Sequence, residues 1–271
     1  MARQRALIHV AGPKASGKTT FVEHVLRTVH ALIICVRTER DDLLRRPVAS
    51  KPRTHAELQR YRRGGASGAA LYRFPPTDAA ADAFFMTKVM EDFSTAVVIE
   101  GDRPVDFVDL TAFIAPPPPP GASLLRRVSG DRAADAVPAF ARSHPTLLDD
   151  AGAAALAAFE QSRRRRPPTS MAHWALAEGY QGLEHAHMVV VNVRDDDERR
   201  RADTMLDEVA RLRTDDAVFH DVLGWRGNKI PITAVVADLG DPADAGLRKA
   251  LTRVKRSMRS IEANNPGAWA R

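Results

Sequence analysis

Short apolar runs alternate with longer stretches of helical period over most of this chain. Ala6-Leu7-Ile8-His9-Val10-Ala11 is a nearly continuous apolar run, as expected of a strand buried on both faces. The period then changes. Phe21, Val22, Val25, Leu26 and Val29 recur at helical spacing and predict a helix opening near Thr20. Residues 31–36 form a second continuous apolar run, and the charged Arg37-Thr38-Glu39-Arg40-Asp41-Asp42 that follows predicts a loop. Residues 43–56, with Pro47 and Pro52, predict irregular structure. Residues 56–63 predict a short helix stopped at Gly64-Gly65, and 69–74 a strand ended by Pro75-Pro76. A helix is expected over 77–93. A strand over 96–99 leads into Glu100-Gly101-Asp102, and a further strand covers 110–115.

Pro116 to Pro120 then interrupts the pattern with a stiff, extended connector. Residues 121–172 are rich in Ala, Arg and Pro and mostly helical in pattern, with the densest basic cluster at Arg163–Arg166; residues 116–172 together predict an insertion or subdomain. The alternation resumes with an apolar run over 186–195, an amphipathic helix over 196–213, a strand over 230–239 and a final helix from Pro242 to about Ile261. Strands that alternate with helices predict an α/β fold: a mainly parallel sheet flanked by helices in three layers, as one domain over residues 1–271.

The chemistry is concentrated between the first strand and the first helix. Gly12 to Thr20 reads GPKASGKTT and satisfies G-x-x-x-x-G-K-[ST], the phosphate-binding P-loop, in the strand–loop–helix context that the motif requires. Gly12 and Gly17 free the backbone to wrap a phosphate chain, while Pro13, Lys14, Ala15 and Ser16 turn their N–H groups or side chains around it. The N-terminus of the helix adds unpaired N–H groups and the positive end of its dipole. Lys18 supplies a point charge for the β- and γ-phosphates. Thr19 offers a hydroxyl to Mg²⁺, and Thr20 completes the loop. Glu100 and Asp102 stand at the carboxyl end of an apolar strand, where acids that hold Mg²⁺ are placed in α/β nucleotide sites, with Glu100 nearer the strand. Asn192 and Asp195 end another strand as N-x-x-D. GTPases carry N-K-x-D there, the Asp pairing with guanine and the Asn tying the base loop to the P-loop. In this chain Val193 stands in the place of the lysine.

Charge and composition narrow the partners. The chain of 271 residues has a formal net charge of +6, with Arg far outnumbering Lys. Such an excess suits polyanionic ligands or acidic protein surfaces, but an Arg- and Ala-rich composition is the simpler account of it, and nucleic acid is not favoured. The single cysteine, Cys35, excludes an internal disulfide and fits a reducing compartment. The start of the chain does not read as a secretory leader, and no apolar run is long enough to span a membrane. A cytoplasmic protein is expected. The spacings of His173, His185 and His187 suit packed or surface residues better than metal ligands.

Three stretches resemble the MobB family, the GTP-binding adaptors of molybdopterin-guanine dinucleotide synthesis, and more broadly the SIMIBI class of P-loop proteins. GPKASGKTTFVEHVL is similar to the start of that family. AELQRYRRGGASGAALYRF is similar to its polar helix and Arg-x-x-Gly-Ala step, and VVIEGDRP to its strand ending in Glu-Gly. Together they cover about residues 6–115. The chain departs from the family at Cys35-Val36-Arg37-Thr38, where an Ile-Lys-His-like sequence is usual, and residues 116–271 fall outside the resemblance. Pro13 stands where the class's ATPases with a second signature lysine carry that lysine, so Lys14 is not given its role. The resemblance implies Mg²⁺ and GTP, with ATP as the alternative, and a protein partner or a second copy of the chain beside a cofactor-processing enzyme. Thr38, Glu39 and Asp41 are expected where a γ-phosphate-sensing loop lies. No glutamine or histidine stands in a water-positioning motif, so slow hydrolysis is expected. Two other classes stay open: a P-loop kinase acting on a small acceptor, and an adaptor that binds nucleotide without turning it over.

Overall fold

The computed structural model describes residues 6–29, 31–41, 43–44, 47–74, 96–101, 108–120, 125–128, 173–176, 180, 183, 186–214 and 233–263. Within them the chain forms β1 (Leu7–Ala11), α1 (Lys18–Thr28), β2 (Ile33–Arg40), β3 (Val48–Ser50), α2 (Ala56–Gly64), β4 (Gly68–Phe74), β5 (Ala96–Glu100) and β6 (Leu110–Ala115). There follow β7 (Leu125–Val128), β8 (His173–Leu176), β9 (Met188–Asn192), α3 (Asp196–Thr214), β10 (Thr233–Ala237) and α4 (Ala245–Ala263). The chain divides into two compact units, one of Met1–Pro117, Gly179–Asp203 and Ile230–Arg271, the other of Pro118–Glu178 and Thr204–Lys229.

The first unit is built on an eight-stranded sheet in the order β10-β9-β6-β1-β5-β2-β4-β3. Every neighbouring pair is parallel except β3–β4, where the short edge strand runs antiparallel. This is the α/β arrangement expected from the sequence, a mainly parallel sheet with flanking helices. β1 lies in the middle, with β5 on one side and β6 on the other. The chain fills the β2 side first and then crosses β1 to the β9 side. The loop after β1 therefore sits where successive crossovers diverge, the place at which open parallel sheets bind ligands.

The strands read as continuous apolar runs because both of their faces are buried. Ile8 and Val10 of β1, Ile33 and Cys35 of β2, Ala69 and Leu71 of β4, and Ala96 and Val98 of β5 share one core with α1, α2 and α4. Their alternate neighbours Leu7, Val36, Ala70, Tyr72, Val97 and Ile99 form a separate cluster on the other face. α2 ends as its sequence predicts, because Gly65 adopts φ +105° and its N–H returns to the carbonyls of Arg62 and Tyr61. In the second unit, β7 and β8 pair antiparallel, Leu125 opposite Leu176. No helix among the described residues is long and apolar enough to cross a membrane.

Three local expectations change. β2 does not stop at Val36 but runs to Arg40, paired with β4 as far as Arg40↔Phe74. Thr38 and Glu39 are therefore strand residues and not part of a loop; only Asp41 lies beyond the strand. The charged side chains are tolerated because Arg37 finds acids on both sides, Glu39 at 2.9 Å and Glu100 at 2.5 Å. Residues 48–50, expected to be irregular, add β3 to the sheet edge, a position compatible with the nearby prolines. Leu125–Val128, inside the stretch read as mostly helical, is a strand. The expected helix over 77–93, Asp102, and the Arg163–Arg166 cluster lie outside the described residues.

Cys35 is 1% exposed on β2. Burial, reinforced by the nearby Glu100 charge, pushes its thiol far above the usual range, so the nucleophilic thiolate is suppressed. Iodoacetamide at mildly alkaline pH is expected to leave the folded protein unmodified over the time in which urea-unfolded protein reacts to completion. Intact-mass spectrometry checks this, and modification of the folded protein at the same rate would contradict the burial.

Candidate phosphate-binding site

The loop between β1 and α1 is shaped by three residues in left-handed backbone conformations: Gly12 at φ +139°, Ala15 at +62° and Gly17 at +102°. Gly12 has a second constraint. A Cβ there would lie 2.0 Å from the Ile114 carbonyl oxygen, so the loop leaves β1 hard against β6. At Gly17 a Cβ would come within 2.8 Å of the Asn192 side-chain nitrogen and 2.9 Å of Leu239 Cδ1. Ala15 is the one non-glycine with positive φ among the described residues; it sits exposed at the crest beside exposed Lys14. Ser16 is buried, and its Oγ has no hydrogen-bond partner among the described residues.

Behind the loop, α1 begins without a side-chain cap and with no acid in its first turn. Its leading N–H groups and dipole thus face the loop uncompensated by any capping side chain, which favours an anion. Lys18 reaches back over the loop, and its Nζ donates to the carbonyls of Gly12 and Pro13, both at 2.7 Å. The ammonium is thereby held at the loop's mouth. Thr20 follows half-buried in the first turn.

The metal-binding pair expected from the sequence is brought together. Glu100 pairs in register with Val10 of β1 and Arg37 of β2, and by strand alternation it faces α1. Thr19 Oγ1 donates to Glu100 Oε1 at 2.8 Å. Glu100 is 1% exposed, and two residues absent from the sequence-level site complete its surroundings. Arg37 Nη1 donates to the same Oε1 at 2.5 Å, and the Tyr61 hydroxyl, from α2, donates to Oε2. Burial and the Glu100 charge push the Tyr61 phenol well up, which keeps it a donor. Burial opposes the Arg37 charge, but Glu100 and Glu39 outweigh it, and its pKa is held above the ordinary arginine value. Arg37 was hidden in a stretch that reads as loop, and Tyr61 occupies an apolar helix position with nothing in the sequence to mark its hydroxyl.

The N-x-x-D pair divides. Asn192, at the end of β9, donates from Nδ2 to the Ser16 carbonyl at 3.0 Å, and its Oδ1 accepts from the Leu239 N–H at 3.2 Å. It therefore ties the phosphate loop to the loop after β10. His24 of α1 reinforces the same clamp, its Nε2 lying 2.9 Å from the Leu239 carbonyl oxygen. Asp195 lies exposed one residue before α3 and acts as its N-cap, Oδ1 accepting from the Glu198 N–H at 2.7 Å. Glu198 in turn accepts from the Arg194 N–H at 2.7 Å. The His187 ring belongs to the scaffold, its Nδ1 accepting from the Thr111 N–H at 3.0 Å.

No protein-family model and no curated protein matches this sequence. Among solved structures, HypB from Helicobacter pylori in complex with nickel aligns at 11% identity and a TM-score of 0.39, over 95% of this chain and 88% of that one. A LAO/AO transport system kinase aligns at 11% identity and a TM-score of 0.38, over 99% of this chain and 67% of that one.

If Asn192 fastens the loop, Asn192→Ala should lower the unfolding free energy by about 1–3 kcal/mol, because it strands a buried carbonyl and an N–H. Asp195→Ala should cost about 1 kcal/mol, the loss of one cap. Urea unfolding of the two variants measures both. A loss at Asn192 no larger than that at Asp195 would show that the clamp contributes little.

Proposed function

We propose that the chain binds a Mg²⁺-complexed purine nucleoside triphosphate, GTP ahead of ATP, hydrolyses it slowly, and serves as an accessory or adaptor to a cofactor-processing enzyme. The observation that carries the reading is the phosphate cradle. Lys18 lies across the loop mouth within 2.7 Å of two loop carbonyls, in front of a helix that starts with no cap and no acid. The ammonium and the uncapped helix start present positive charge and free N–H groups on the same side of the loop, the combination that binds phosphate. Phosphate oxygens would give Lys18 charged acceptors in exchange for carbonyls, a stronger pairing.

Thr19 and Glu100 are the residues that would hold Mg²⁺, since they present hard oxygens 2.8 Å apart. One or two protein oxygens suit an ion that keeps most of its water, and no group of three or more His, Cys, Asp or Glu able to hold a metal occurs among the described residues. Bound there, the ion would neutralise charge on the β- and γ-phosphates. Hydrolysis forms a bond from water to the γ-phosphorus and breaks the bond to the β-phosphate oxygen, and Lys18 stabilises the charge that spreads over the departing group. Turnover is expected to be slow, and a protein partner or a second copy of the chain would accelerate it. The preference for GTP is supported by the Asn192 clamp on the phosphate loop. The adaptor role is supported by the MobB resemblance over residues 6–115, with molybdenum-cofactor synthesis as its most specific form.

Lys18→Ala removes the charge facing the phosphates and is expected to weaken triphosphate binding at least tenfold, about 1.4 kcal/mol. Calorimetry with GTP, ATP and their diphosphates measures this; unchanged affinity would remove the phosphate-site assignment. For the base, Asp195→Asn is expected to weaken GTP and shift preference toward xanthine nucleotides, because the new amide can donate to the xanthine C2 carbonyl. Equal wild-type affinity for ATP and GTP, or an unchanged GTP affinity in the variant, would exclude Asp195 as a base reader.

A further inference from the structure

The oxygen of Glu100 that faces Thr19 is already shared with a cation. Arg37 Nη1 lies 2.5 Å from Glu100 Oε1, the same atom that accepts from Thr19 at 2.8 Å. The guanidinium is held from its other side as well, since Nε donates to Glu39 Oε1 at 2.9 Å. Glu39 is braced in turn: His55 Nε2 lies 3.3 Å from that oxygen, and His55 Nδ1 lies 3.2 Å from Glu57 Oε2. The Arg37 side chain is 21% exposed and that of Glu100 2%. Beside the phosphate loop there thus lie a buried carboxylate on β5, whose charge would repel a polyphosphate, and a fixed arginine on β2 that offsets it. A divalent ion placed directly on the same oxygen would have to share it with a guanidinium of like sign, which is unfavourable in a site screened from water.

We propose that Arg37 is the resident counterion of Glu100 and allows a nucleoside polyphosphate to bind with little dependence on Mg²⁺. The metal is then needed for hydrolysis rather than for capture, and it competes with Arg37 for the carboxylate. The inference rests on the phosphate-site reading above and deepens it. It separates two roles that one metal ion would otherwise fill, holding the nucleotide and activating it.

The test measures GTP affinity by calorimetry in excess Mg²⁺ and in excess EDTA, for the wild-type full chain and three variants. Wild-type affinities are expected to agree within about threefold between the two conditions. Arg37→Gln leaves the carboxylate uncompensated, so its affinity in EDTA should fall to at least about tenfold below that in Mg²⁺. Arg37→Lys, which keeps the charge, should restore most of the wild-type tolerance. The double variant Arg37→Gln/Glu100→Gln removes both charges and should also bind without metal; it keeps the test open if the single Gln variant does not fold. A wild-type affinity that collapses in EDTA would overturn the proposal, as would an Arg37→Gln variant with the wild-type ratio. Wild-type protein that binds no GTP in either condition would overturn the phosphate-site reading as well. A wild type that binds GTP through Lys18 but loses it in EDTA defeats only the counterion.

Discussion

A carboxylate that is almost wholly withdrawn from water must be matched by donors, or it becomes the most costly group in the fold. Glu100 is that group in this protein. It ends β5, is 1% exposed, and draws together residues from four segments: Thr19 from α1, Arg37 from β2, Tyr61 from α2 and its own strand. What Glu100 adds is a fixed relation between the start of α1 and the carboxyl ends of β2 and β5. Removing the charged partner, Arg37, from such a cluster costs about 3–5 kcal/mol.

The sheet order makes that convergence possible. β5 lies directly beside β1, with Val10 opposite Glu100, so the acid is one strand spacing from the loop it serves. β2 lies on the far side of β5 with Arg37 opposite the same acid. Three successive strands therefore deliver the loop, the carboxylate and the cation at one level. The opposite flank of β1 supplies the second support, through β9 and its Asn192. The phosphate loop is thus gripped from both sides, by charge on one and by amide hydrogen bonds on the other.

Much of this was legible in the residues. The strands of the main sheet announce themselves as continuous apolar runs because both faces are buried. The loop announces itself because Gly12 and Gly17 need backbone conformations that side chains resist. β3 was not legible, since three residues among prolines and charges carry no period. The extension of β2 was hidden because its last residues are charged, and their charges are satisfied by partners distant in sequence. Tyr61 looks like any core aromatic until the strand opposite it ends in an acid. Asn192 and Asp195 read as one motif, and spacing alone does not show that Asn192 clamps the phosphate loop or that Asp195 caps α3.

The Asn192 clamp also bears on how the molecule is made. Its bond to Ser16 joins positions 176 residues apart, and the His24 contact with Leu239 spans 215. The phosphate loop leaves the ribosome well before the groups that fasten it. Closure over so long a separation is slow and comes late in folding. The nascent chain accordingly carries a complete P-loop sequence long before it has a rigid P-loop. Nucleotide that binds the finished site but not the partly made one would act as a ligand for the last step of folding, drawing the chain toward completion by mass action.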